Sequence, residues 1–273
     1  MGSAGYIRLG LADAWGAVKA KKFLFLGLVV LQFVALVVFM FLFIHFQVKI
    51  ITSAQDVVTL FAQANYNPDS LSQGSAFMKD IGVLNESYTA IKQNIVYFSL
   101  ALFFYLLTFQ GWLWLGAHAL RRSFTRREFL HSWKRYGLVV FILFAVVSLI
   151  SYLLIRSSIF TFEVSQTSFV VVIYSLVALY GLGFIVFLAG VNVIDRDWKD
   201  IKKIVHRMLA RILQVLFVFF VSLLMVAVSV GILVYTIYYE PLNYLLFVSS
   251  PLFFVALVFS RLFIISALRR VLA

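Results

Sequence analysis

The sequence predicts an all-α integral membrane protein: six transmembrane helices in three hairpins, with amphipathic interfacial segments and both termini cytoplasmic. Three observations lead there. Of 273 residues, 63% are hydrophobic and 12% charged, with a mean hydropathy of +1.02, whereas about a quarter of the residues of a water-soluble domain are charged. Six stretches stay apolar for the roughly 20 residues that a helix needs to cross about 30 Å of hydrocarbon. The basic residues fall between these stretches in strict alternation.

The six stretches are Phe23 to Phe46, Ile95 to His118, Leu138 to Ile155, Ser168 to Ile194, Ile212 to Tyr238 and Leu242 to Leu268. The third is short and must stand nearly upright or recruit flanking residues. An even number of spans puts both termini on one side. Nineteen of the 23 basic residues lie in the N-terminal segment, in the loops after spans two and four, and at the C-terminal end, and only Lys49, Lys79, Lys92 and Arg156 lie on the other side. Such a bias places the basic side in the cytoplasm of a cell membrane and accounts for the formal charge of +12 without a polyanionic partner, so no nucleic acid is expected. Lys21 and Lys22 before an apolar run resemble the start of a secretory signal, but this run far exceeds the core of about 7 to 15 residues that a signal carries. It is expected to be a permanent anchor.

The chain is expected to form a single six-span membrane domain over 1–273. It comprises an interfacial segment at 1–22, an extracytoplasmic loop at 47–93, and basic cytoplasmic loops at 119–137 and 195–211. Before the first helix of each hairpin comes a Trp, then basic residues, then the apolar run; the three are Trp15, Trp133 and Trp198. In the third copy, Ile201, Val205, Met208, Leu209 and Ile212 follow Trp198 at helical spacing, while Lys199, Lys202, Lys203 and Arg207 fill the other face. That segment is expected to lie along the inner membrane surface. Trp15, Trp133, Trp198, Lys202, Lys203 and Arg207 are therefore the candidate lipid-contact residues, either as a platform for lipid or a protein partner or as ordinary anchors of helix ends. The rhythm of AWGAVKAKK, SWKRYG and DWKDIKKIVHRMLARI, each followed by two spans, resembles six-helix prokaryotic membrane families related to the membrane domain fused to some glycerophosphodiester phosphodiesterases. The resemblance implies this architecture and carries over no catalytic residue, since the soluble phosphodiesterase domain of those fusions is missing.

The loop from Gln47 to Gln93 is too small and polar for a core of its own and is expected to extend the first two helices outward, with a helix over Ser53 to Asn65 and a turn at Asn67, Pro68 and Asp69. Asn85, Glu86 and Ser87 match a glycosylation sequon, a short pattern that is frequent by chance.

Few residues suggest chemistry. Asn192, Asp195, Asp197 and Asp200 have the spacing to hold Mg²⁺ for a diphosphate substrate of a lipid-modifying enzyme, but Asp197 and Asp200 also suit the cap and first turn of the helix that follows, beside neutralising lysines. His45, His118, His131 and His206 are scattered, with no pair at ligand spacing. The chain has no Cys, which removes thiolate chemistry. No carboxylate lies deep in a span, and Arg261 stands near the inner end of span six, where it can reach the headgroups. Gly181 and Gly183 in span four, and Ser250 and Pro251 in span six, could mark a broken-helix cavity as in a transporter, or simply close packing and a kink. No cofactor or metal is expected. The sequence points to a non-enzymatic membrane component that contacts lipids and, through its interfacial segments, a protein partner or further copies of itself. The alternative is a transporter or permease component for an uncharged or amphiphilic small molecule.

Overall fold

In a computed structural model the chain is described at residues 3–63, 75–160, 166–193, 201–238 and 245–272. Among the described residues there are nine α-helices and no strand: α1 (Ser3–Ala20), α2 (Lys22–Gln63), α3 (Ser75–Tyr105), α4 (Gly111–Arg121), α5 (Arg126–Phe160), α6 (Gln166–Val193), α7 (Ile201–Ala210), α8 (Ile212–Tyr238) and α9 (Leu246–Leu272). A π-helical turn, Leu106–Gln110, joins α3 to α4. Six segments are long and apolar enough to cross a membrane: Lys22–Thr59, Gly82–Arg121, Arg126–Leu154, Val170–Leu188, Ile212–Tyr238 and Leu246–Leu272. This is a multi-pass membrane protein. Phe23, Phe41, Tyr174, Leu213 and Phe247 are among many large apolar side chains left on the outside, which water would penalise and lipid tails accept.

The helices run longer than the apolar stretches. At 42 residues, α2 spans about 63 Å at 1.5 Å per residue, twice the hydrocarbon thickness. Backbone hydrogen bonding therefore carries the helix past Phe46 and through Ser53 to Gln63 in one piece. The short third span is solved in the same way, because α5 begins at Arg126 and absorbs the whole SWKRYG segment. A reciprocal cap starts it: the Thr125 N–H donates to Glu128 Oε2 at 2.9 Å, and the Glu128 N–H donates to Thr125 Oγ1 at 3.3 Å.

The chain divides into two compact units. Residues 34–106 form one, in which Phe39 packs on Tyr105 and both Phe43 and Phe46 pack on Phe98, so aromatic rings join α2 to α3. Residues 1–33 and 107–273 form the other. Here α8 packs on α9 and α5 on α6, as hairpins, while α1 and α4 also lie against α9. The end of α9 is the core of this unit: Leu262, Phe263, Ile265, Ser266, Ala267 and Leu268 are sealed from the outside.

Glycine sets several of these approaches. A Cβ on Gly10 of α1 would meet the Ala267 Cβ at 2.9 Å, and one on Gly190 of α6 would meet a Val139 methyl of α5 at 2.6 Å. Small residues at such crossings are the usual way for helices in lipid to gain dispersion contacts.

Candidate functional site

Two features stand out in the larger unit, one inside the helices and one at their ends. The first is Arg261, eleven residues before the end of α9, or about 16 Å along the helix. Its guanidinium donates through Nη2 to Gln110 Oε1 at 2.8 Å and lies 5.6 Å from the centre of the Trp114 indole. Gln110 closes the π turn, and Trp114 follows one helical turn later on the same face of α4. On another face, a Cβ on Gly111 would meet the Tyr136 ring at 3.0 Å, and one on Gly137 would meet a Leu107 methyl at 3.1 Å, so the π turn is wedged between α9 and α5. An intramembrane charge is expected to be paired and functional, and π turns concentrate at working sites. The sequence reading sends Arg261 outward to the headgroups, whereas the structure engages it inside the protein, between a side-chain amide and an aromatic face.

The second feature is a set of helix ends. Spans two, four and six, the even-numbered ones, end in the C-termini of α4, α6 and α9. The last turn of any helix leaves carbonyls without intrahelical donors. Here each end receives a side chain from elsewhere in the chain. Lys21 Nζ donates to Ala119 O at 2.6 Å; His118 Nε2 donates to Val191 O at 3.1 Å; Arg207 Nη1 donates to Leu272 O at 2.8 Å, and Arg211 Nη1 donates to Val271 O. Since a carbonyl only accepts, the His118 proton sits on Nε2. Arg121 adds a donation to Ile265 O at 3.3 Å, and Arg270 is held by Asp13 at 2.9 Å. Cations belong at helix C-termini, where the macrodipole is negative.

The interfacial candidates separate. Trp15 is exposed, with its ring edge on Phe259 at 6.4 Å and Lys19 Nζ at 5.6 Å from its centre. Trp133 lies inside α5 with Nε1 buried against Gly111. Trp198 and the aspartates Asp195, Asp197 and Asp200 lie outside the described residues. Lys202 and Lys203 fall on α7. That helix is two-sided as expected, but its apolar face is divided: Ile204 and Met208 are buried in the protein, and Leu209 faces out.

The candidates for a broken-helix cavity separate as well. Pro251 sits inside α9 and faces out. Beside the half-buried Ser250, Ser249 Oγ meets Thr236 Oγ1 of α8 at 3.0 Å, tying the third hairpin together. Gly181 faces out with open space at its Cα, and Gly183 packs against Val147 of α5. These four residues lie on α6 and α9, the helices of spans four and six, and the structure brings together Arg261, Gln110 and Trp114. Sequence reasoning singles out Arg261 and passes over Trp114, because the π turn that aligns Gln110 and Trp114 on it leaves no trace in composition or hydropathy. Among the described residues no three His, Asp or Glu side chains converge as a metal site would require. Comparison with known protein families, with curated proteins and with solved structures gives no match.

If the Arg261–Gln110 contact holds the π turn in place, Gln110→Leu lowers stability by about 2 kcal/mol, the scale of a hydrogen bond to a charged group. Adding Arg261→Met restores part of it, because the charge that lost its acceptor is then gone. Unfolding of the purified variants in mixed micelles checks this; a Gln110→Leu protein within about 0.5 kcal/mol of the parent would contradict it.

Proposed function

We propose that the protein is a non-enzymatic component of the cell membrane, acting through contacts with lipids or a partner protein, with both termini in the cytoplasm. The observation that carries this reading is where the polar groups go. His118, Arg207, Arg211, Lys21, Thr236 and Ser249 join one helix to another, and Gly10 of α1 and Gly190 of α6 are taken up in helix contacts. What these bonds leave on the surface is a combination of basic and apolar side chains at the starts of α2 and α5: Lys22 with Phe23, Lys134 with Leu130. That combination suits the boundary between headgroups and acyl chains. The gathering of basic residues on one side supports the cytoplasmic placement.

A second reading has one observation in its favour. Arg261 at a π turn is the kind of intramembrane charge that transport proteins use, which keeps a permease component for a small amphiphilic or uncharged molecule as the alternative.

Two experiments test these readings. In intact cells an impermeant maleimide is expected to label Glu86→Cys on α3 and to leave Arg127→Cys on α5 unlabelled until the cells are opened, and the native chain supplies no competing thiol. The reverse pattern would invert the topology. In proteoliposomes, stopped-flow light scattering is expected to give glycerol permeation at the rate of protein-free vesicles. A protein-dependent flux that Gly183→Leu abolishes would replace the proposed role with transport.

A further inference from the structure

The junction of α1 and α2 carries three lysines within four residues, and they do different things. Helical hydrogen bonding runs straight across it, with the Lys21 N–H donating to Ala17 O at 3.1 Å and the Phe25 N–H donating to Lys21 O at 3.1 Å. Residues three and four apart therefore stay on one face through the junction. Lys21 turns inward to cap Ala119 O. Trp15, Lys19, Lys22 and Phe23 share the opposite, outward face, and the apolar members are well exposed: Trp15 by 54% and Phe23 by 91%.

The composition of this stripe is specific. The Trp15 ring is braced by the edge contact with Phe259 and has the Lys19 ammonium 5.6 Å from its centre. Asp13, a half-turn before Trp15 on α1, has its carboxylate taken by Arg270 through contacts at 2.9, 3.1 and 3.3 Å. Lys19 and Lys22 make no ion pair among the described residues. Two ammonium groups are thus presented beside an exposed indole and an exposed phenyl ring, on a helix that continues directly into the first span.

We propose that the stripe Trp15, Lys19, Lys22 and Phe23 is a binding surface for an anionic phospholipid, resting on the reading of the protein as a lipid-contacting membrane component. The lipid phosphate lies between the Lys19 and Lys22 ammonium groups, which donate to its oxygens. The indole N–H side of Trp15 lies at glycerol depth, and the upper acyl chain covers Phe23. A zwitterionic lipid brings its own ammonium to the same place and gains less from two lysines with no carboxylate beside them. An acidic segment of a protein would satisfy the lysines but leave Phe23 without an apolar cover.

Native mass spectrometry of the purified full chain, released from micelles doped with equal phosphatidylglycerol and phosphatidylcholine, tests the proposal. The parent protein is expected to retain phosphatidylglycerol in preference. Lys19→Gln/Lys22→Gln is expected to lose that preference by about tenfold, each lysine near an anionic headgroup contributing a severalfold factor. The control Lys49→Gln/Lys92→Gln, with equal charge loss elsewhere on the surface, keeps it. Both substituted pairs are exposed, and an unchanged melting temperature confirms that each variant folds. A Lys19→Gln/Lys22→Gln protein that keeps the parent's preference overturns this surface while leaving lipid contact as the role. A parent protein that retains neither lipid overturns both.

Discussion

The rest of this structure depends on how the C-terminal carbonyls of α4, α6 and α9 are satisfied. A helix that ends in or near lipid cannot rely on water for its last carbonyls, and each such group left bare costs several kcal/mol. In this protein Lys21, His118, Arg207 and Arg211 supply the donors. Each comes from a different element than the one it caps: the junction before α2 caps α4, α4 caps α6, and the α7–α8 junction caps α9. The His118 bond joins α4 to α6, and the neighbouring Arg121, which donates to Ile265 O, joins α4 to α9, so these helix ends are interlocked across the hairpins. The packing follows the same gradient, with the end of α9 sealed at Ser266, Ala267 and Leu268 and many large apolar residues elsewhere on the spans facing out.

This arrangement gives the basic bias of the sequence two physical roles. Lysines and arginines on one side orient a membrane protein during insertion, and here some of the same side chains also serve as helix caps. Lys21 and Lys22 are adjacent and identical, and only the first turns inward. Arg121 reaches Ile265 O, and Arg122, next to it, pairs with the exposed Glu128 at 3.0 Å, a contact that contributes little at a surface. Charge number is a property of the loop, whereas capping is a property of the individual residue.

Much of the fold was legible in the sequence, because the bilayer leaves few options: a stretch of apolar residues long enough to cross must be helical, and six of them appear where hydropathy puts them. The continuation of the first spanning helix to Gln63 was legible from helical signals in a polar segment rather than from hydropathy. What hydropathy could not convey is which face of a two-sided segment meets protein and which meets lipid. Ile204, Met208 and Leu209 read as one apolar stripe, yet the first two are buried against neighbouring helices and the third is exposed. Nor does sequence spacing reveal the π turn at Leu106–Gln110, since a single extra residue in a helical turn changes no composition; yet it aligns Gln110 and Trp114 on Arg261. Arg261 itself was conspicuous, but its partner could be found only with α4 and α9 side by side.

The adjacent lysines offer the most direct test of the capping account, because Lys21→Met and Lys22→Met remove the same charge from the same junction. Measured by unfolding in lipid nanodiscs or mixed micelles, Lys21→Met is expected to lose about 2 kcal/mol through the orphaned Ala119 carbonyl, and Lys22→Met to stay within about 0.5 kcal/mol of the parent. Equal losses for the two variants would mean that the basic residues act only through net charge, and that the interlocking of helix ends does not hold the bundle together.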